Sequence, residues 1–378
     1  MPLLPPLRDP FFIYRHRQLI HTFRAVLALA IIFGLLALFQ LPHGSWALVS
    51  ALMVMGGLPH VGGVLDKGLQ RLAGTILGGL LGIALLLLPL PSAIFANGLT
   101  LAAIGVATYA TFTSRYGYSA LMFGITLLMV VGDGDPEIST ALWRAANVVI
   151  GTSIAILVTL LVLPQKATDV LRFLLADNLD KLARLYHSHT ASKRLDLELG
   201  AKLMKTATAQ LVKQRGLIDG VHQEGRIKRG ALNDILSLER RMMSTVELLL
   251  ETHWDTRDGH DLIEGLEGLR EEQHRLARAL GTLAFQIRTG QLIDVKVAPF
   301  SLQRYAGRAL GASTENGRQL FSPSGYLWLN RELARQTSAL AANLGNIQRL
   351  PSQRLQRRAN HDYMIHDKQR IPHETSGV

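Results

Sequence analysis

The sequence predicts an all-α protein: a six-helix transmembrane domain with an inverted 3+3 repeat, followed by a cytoplasmic helical bundle. Three observations predict it. Hydrophobic residues crowd into the first 164 positions of a 378-residue chain, in uncharged runs long enough to cross a bilayer. Two of those runs match each other at one offset, since Arg71 and Arg144, Gly78 and Gly151, and Pro91 and Pro164 all stand 73 residues apart. From Gln165 onward, apolar residues recur instead at helical spacing among mixed charges.

Residues 1–18 form an N-terminal segment carrying Arg8, Arg15 and Arg17. The transmembrane domain, 19–164, follows with spans expected at about 20–41, 45–64, 71–89, 93–112, 116–132 and 143–163, at roughly 17 to 25 residues each. The first span lacks a small-residue cleavage site and runs directly into another span, so it is expected to stay as an anchor rather than serve as a secretory signal. Arg24 precedes the apolar part of span one, Lys67 and Arg71 separate spans two and three, Arg115 separates four and five, and Lys166 and Arg172 follow six. These cations fall on one side, and the positive-inside rule makes that side and both termini cytoplasmic.

Three spans per copy is an odd number, so the second copy enters the membrane from the opposite face. Arg71 is then expected at the cytoplasmic end of span three and Arg144 at the outer end of span six, related by a pseudo-twofold axis in the membrane plane. An ionisable residue at the mouth of an apolar helix is a functional-site hypothesis. Arginines near helix ends also serve as headgroup anchors, and that reading stands beside the functional one. Gly74, Gly78 and Gly82 share the face of Arg71, as Gly151 shares that of Arg144, and small residues in this pattern serve close helix packing.

Spans two and five carry breaks at matching places. Span two ends in Gly56-Gly-Leu-Pro59-His60, and span five ends in Gly132-Asp-Gly-Asp-Pro136. Interrupted helices leave backbone groups free to bind a transported species, which adds Pro59 and His60 to the expected substrate pathway with Arg71 and Arg144. His60 is able to titrate near neutrality and couple transport to protons, although a structural histidine is the commoner role.

Helices are expected beyond the membrane domain at about 165–190, 195–216, 228–254, 260–288, 299–312 and 325–347, forming a cytoplasmic domain over 165–350. Leu232, Ile235, Leu236, Met242, Met243, Val246, Leu249 and Leu250 make one buried face, while Leu262, Leu266, Leu269, Gln273, Leu276, Leu280, Leu283 and Ile287 make another. Residues 351–378 are polar and basic, and are expected to lack fixed structure. The net charge of +11 is dispersed along helices with no basic-aromatic motif, which argues for anionic lipid rather than nucleic acid as a partner.

The absence of cysteine excludes disulfides and thiolate metal sites and fits a reducing compartment. Asp133-Gly-Asp135-Pro-Glu137 lacks the later ligands of a calcium loop, and His253, Asp255, Asp258 and His260 in a turn make a weak metal motif, so no metal or other cofactor is expected. No HExxH, P-loop, GxSxG or dinucleotide fingerprint occurs, and no enzyme activity is expected.

Several of these stretches carry a family resemblance. Tyr14-Arg-His-Arg with His21-Thr-Phe-Arg24-Ala, Trp46-Ala-Leu-Val with Met55-Gly56, Arg71-Leu-Ala-Gly74-Thr75-Ile-Leu-Gly78, Thr140-Ala-Leu-Trp143-Arg144 and Tyr326-Leu-Trp328-Leu-Asn330 resemble the fusaric acid resistance (FUSC) family. The resemblance covers the membrane half well and the soluble half loosely. It implies a bacterial inner-membrane exporter of aromatic carboxylic acids driven by the proton gradient, and, because longer relatives hold two membrane modules in one chain, a homodimer. The same superfamily contains dimeric organic-anion channels of plants, so a channel is an alternative. A scaffold in which the spans merely anchor the helical domain is the alternative of another class, against which the internal repeat argues.

Overall fold

The computed structural model describes residues 9–57, 60–88, 92–131, 138–190, 197–225, 227–251, 266–305 and 323–368, and among them the regular structure is helical. The chain divides into two compact units, Met1–Val170 with Asp219–Arg226, and Leu171–Ile218 with Ile227–Val378.

The first unit opens with α1 (Pro10–Arg15), where Asp9 caps the Phe11 amide and proline takes the first turn, which needs no donor. Then come α2 (Arg17–Phe39), α3 (Ser45–Met55), α4 (Val61–Leu87), α5 (Ala93–Thr113), α6 (Gly117–Val131) and α7 (Ile138–Leu161). Four stretches, Arg17–Phe39, Val61–Leu87, Ile94–Thr113 and Ile138–Leu161, are long and apolar enough to cross a membrane, whereas α3 and α6 are shorter apolar helices.

Two boundaries differ from the sequence reading. The second expected span ends at Met55, because Gly56 leaves the helix and Gly57 takes a left-handed backbone (φ 95°) that L side chains rarely adopt. The third begins at Val61, ten residues before Arg71. Asp66, Lys67 and Gln70 belong to that helix because neighbours satisfy them: Asp66 accepts from Gln70 (2.9 Å), Lys67 lies over the Tyr118 ring (5.5 Å to its centroid), and Gln70 accepts from the Ser119 amide (3.3 Å).

Within this unit α2 packs on α3 and α7, α3 on α7, α4 on α6 and α7, and α5 on α6. Ala28 and Ile32 of α2, Ala47, Ala51 and Val54 of α3, Val64 of α4 and Ala155 and Val158 of α7 form one buried cluster. Large apolar side chains face outward in number, with Phe112 at 86% and Ile94 at 85% exposure, an orientation that hydrocarbon solvates and water does not.

The unit also takes in most of α10 (Ile218–Gly225), a helix between those expected at 195–216 and 228–254. Gly220 is a point of close approach. A Cβ placed on Gly62 would lie 2.8 Å from the Gly220 Cα, and one on Gly220 would lie 3.1 Å from the His60 ring.

The second unit contains most of α8 (Ala167–Thr190), then α9 (Leu197–Arg215), α11 (Arg229–Glu251), α12 (Leu269–Thr289) and α13 (Pro323–Lys368). The faces read from periodicity are buried: Leu232, Ile235, Leu236, Met242, Met243, Val246 and Leu249 on α11, and Leu269, Gln273, Leu276, Leu280, Leu283 and Ile287 on α12. They meet Leu179, Leu182, Leu185 and Tyr186 of α8 and Leu329, Leu333 and Leu340 of α13 in one core. Gln273 donates to Tyr326 Oη (2.8 Å) and Asn330 Oδ1 (3.3 Å), so the polar positions within that core are bonded to one another. Helix α13 continues past the expected end at 347 to Lys368, into the segment expected to lack structure, since Gln, Arg, Leu and Ala there are all good helix formers. Leu262 and most of the helix expected at 299–312 lie outside the described residues.

Candidate functional site

Arg71 is the eleventh residue of α4, about 15 Å along the axis from its start. The helix therefore extends well before Arg71, through Asp66, Lys67 and Gln70, and the uncharged part of α4 begins just after it at Leu72. Its side chain is 4% exposed. Nη1 faces Met53 Sδ (3.2 Å) on α3 and Met122 Sδ (2.9 Å) and Tyr118 Oη (3.4 Å) on α6, and Nη2 donates to Ser50 Oγ (3.0 Å) on α3. Nε is buried without a partner. Two thioethers and two hydroxyls are weak or neutral acceptors, and among the described residues no carboxylate pairs with this guanidinium.

Arg24 offers a comparison. It is fully buried on α2, and Nε donates to the Val162 carbonyl (2.8 Å) while Nη2 donates to that of Leu163. Those carbonyls belong to the two residues that follow α7, so the cation lies at the negative pole of a helix C-terminus. Arg24 is thus bound to carbonyls at a helix end, whereas Arg71 keeps an unfilled donor. An ionised group out of water without a counter-charge costs several kcal/mol, and an arriving planar anion relieves that cost with bidentate hydrogen bonds.

Helix α6 also meets the second arginine. Arg144, half-buried on α7, donates to the Met129 carbonyl (3.5 Å). Met129 is seven residues beyond Met122, so the two arginines touch α6 about 10 Å apart along its axis. Three residues on, Asn147 is fully buried and donates to the carbonyls of Pro42 (2.8 Å) and Trp143 (2.9 Å), holding the chain between α2 and α3 against α7.

The glycines fix how closely these helices approach. A methyl on Gly74 would overlap the Ser119 carbonyl, one on Gly78 would lie 2.5 Å from that of Phe123, and one on Gly82 would lie 2.7 Å from Val130, all on α6. On α7, a methyl on Gly151 would overlap the Ala47 carbonyl of α3. These contacts bring α6 close enough for Tyr118 and Met122 to reach Arg71.

His60 is buried at the start of α4 against Gly220, eleven residues from Arg71 and so not beside it. Pro59, the Asp133–Glu137 run and His253, Asp255, Asp258 and His260 lie outside the described residues. Among the described residues no group of three His, Cys, Asp or Glu side chains converges to hold a metal.

A residue that sequence reading missed sits near His60. Glu224, on α10, accepts from the Gly62 amide (3.0 Å) at the start of α4, and from the Ala167 (2.8 Å) and Thr168 (3.1 Å) amides and Thr168 Oγ1 (3.2 Å) at the start of α8. One carboxylate thus caps two helix N-termini. Its neighbour Gln223 donates to Asp66 (2.9 Å), and the chain of bonds continues through Gln70 to Ser119, next to Tyr118.

Long apolar helices with outward-facing hydrocarbon and a buried cation between them define an integral membrane protein. More specifically, the chain belongs to the fusaric acid resistance protein family, whose sequence profile matches residues 18–370. It is 31% identical over 341 residues to the inner membrane protein YeeA of Escherichia coli (strain K12), covering 87% of this chain and 94% of that protein. Two plant proteins of Arabidopsis thaliana share one part. Aluminum-activated malate transporter 10 is 32% identical over 152 residues, 37% of this chain and 30% of the relative, and aluminum-activated malate transporter 2 is 29% identical over 184 residues, 44% and 36%.

Proposed function

We propose that this protein is a transporter rather than an enzyme, carrying organic anions, and aromatic carboxylates in particular, out of the cytoplasm across the bacterial inner membrane. The observation that carries the proposal is the Arg71 guanidinium, buried within a membrane-length helix with no carboxylate against it among the described residues. Arginine keeps its charge at any working pH and matches a carboxylate bidentately. The surrounding Met53, Met122 and Tyr118 suit an aromatic ring, since thioethers pack against ring edges and phenols against ring faces. The names of the plant relatives, malate transporters, support an organic anion as the substrate class.

In this reading α2 to α7 all serve as spans, in two inverted sets of three, with both termini cytoplasmic and two copies forming a dimer. The packing supports the inverted pairing. Exchanging α2, α3 and α4 with α5, α6 and α7 turns the α3–α7 contact into α6–α4 and the α2–α3 contact into α5–α6, and all four occur, whereas among the described residues the α2–α7 contact has no comparable counterpart between α5 and α4. The short α3 and α6, which bracket Arg71, correspond to the interrupted helices that transport sites are built from. Arg144 then serves the outer exit.

The test is flux of benzoate, substituted aromatic acids and dicarboxylates from liposomes holding the purified protein, with and without a pH gradient. Saturable, gradient-dependent efflux that Arg71→Gln abolishes in a normally inserted protein is the expected result. Gradient-independent anion current would assign a channel instead, and undiminished flux in a folded Arg71→Gln, Arg144→Gln double variant would overturn the site.

A further inference from the structure

We propose that Glu239, in the core of the second unit, is a proton-binding site, neutral in the native bundle, and that losing this proton loosens the junction of α8, α9 and α11. Glu239 on α11, Asn178 on α8 and Gln214 on α9 are all fully buried. Asn178 Nδ2 donates to Glu239 Oε1 (2.6 Å) and to the Ala207 carbonyl (3.2 Å), and Gln214 Nε2 donates to the same Oε1 (2.9 Å). Turning the Asn178 amide over would set its oxygen against two acceptors, so its orientation is fixed by its partners.

What remains is an imbalance of one kind. Glu239 Oε2, Asn178 Oδ1 and Gln214 Oε1 are three buried acceptors without a donor. A carboxylate would leave a charged oxygen unbonded in the core. A proton on Oε2 removes that charge and adds one donor to a site that holds only unmatched acceptors.

Among the described residues, the charged groups around the site pair elsewhere or face outward. On α8, Asp177 and Lys181 pair with each other. On α9, Lys213 and Arg215 are exposed, as are Arg240 and Arg241 on α11, and on α13, packed against α11, Glu332 pairs with Arg335 (2.6 Å). None of them pairs with Glu239. Burial, opposed by the two amide hydrogen bonds, pushes its carboxyl up to about 7. An unfolded glutamate titrates at about 4.3, so the native unit holds a proton that the unfolded chain releases. Stability is therefore full in acid, falls as pH rises, and levels off above about 7.

The experiment is backbone hydrogen exchange of the full-length protein, corrected for intrinsic rates, between about pH 5 and 8.5, beside difference infrared spectroscopy of the carboxyl carbonyl. Wild-type amides of α9 and α11 should lose protection by up to tenfold per pH unit below neutrality and then level off. Glu239→Gln, which carries a permanent donor, should show no such slope. A carboxyl band that titrates near neutrality in the wild type and is missing from the variant is the matching spectroscopic result. Equal pH profiles for the two proteins would overturn the proposal. Should the variant not fold, a wild-type spectrum without a carboxyl band titrating near neutrality would overturn it alone.

Discussion

Replacing Glu224 by alanine removes one carboxylate and leaves four donors at two helix starts: the amides of Gly62, Ala167 and Thr168, and Thr168 Oγ1. Loss of a single N-cap costs about 0.5–2 kcal/mol, and two are lost together. Glu224 is half-buried, so water recovers part of that bonding, and the effects at one carboxylate are not additive. The expected cost is about 2–3 kcal/mol of local stability, which corresponds to a roughly 30- to 150-fold rise in the opening constant of these amides. Glu224→Gln keeps an acceptor but gives up the attraction to the helix dipoles, so about half the effect is expected. Hydrogen exchange resolved at Gly62, Ala167 and Thr168 measures it directly. Unchanged exchange at these three amides in the alanine variant would show that Glu224 does not cap α4 and α8.

Three further outcomes follow from the packing and the buried polar groups. Gly74→Ala and Gly151→Ala place a methyl against the Ser119 and Ala47 carbonyls and should each lower stability by about 1–3 kcal/mol, seen as earlier thermal unfolding in detergent. Gly79→Ala, whose nearest neighbour would be 4.0 Å away, should leave the transition unmoved or raise it slightly. Asn147→Leu strands the Pro42 carbonyl and should cost about 1–3 kcal/mol in the same assay.

The parts of this fold legible in sequence are those written locally. Uncharged runs marked α2, α5 and α7, and the spacing of leucines marked the buried faces of α11 and α12, because burial repeats with the helical period. The start of α4 was not legible. Asp66, Lys67 and Gln70 look like a polar loop until Gln223, Tyr118 and Ser119 are placed beside them. Gly220 looks like a break for the same reason, since what it meets is Gly62 and His60, far away in the chain. Arg24 counted only as a topology signal, and its partners lie 138 and 139 residues further on. Arg71 itself stood out, being a charge next to an apolar helix, but its depth and its lack of a carboxylate partner are properties of the packing.

The contrast between the two buried arginines yields the sharpest test of the functional reading. A buried charge that the fold has answered is costly to remove, whereas one left without a counter-charge is a burden that an apolar residue of similar size relieves. Arg24→Met strands the two carbonyls that follow α7 and should destabilise by about 1–3 kcal/mol for each carbonyl left unpaired. Arg71→Met exchanges an unanswered guanidinium for an apolar chain beside Met53 and Met122, and should be neutral or stabilising by up to about 4 kcal/mol. If Arg71 is kept for an anion, that stability is what the protein gives up to hold the site. Wild-type protein should then gain about 2.7 kcal/mol from a substrate anion at a hundred times its Kd, while Arg71→Met gains nothing. Thermal unfolding in detergent with and without benzoate reads both effects. Destabilisation by Arg71→Met as large as that by Arg24→Met would make Arg71 a structural cation, and the transport site would have to lie elsewhere.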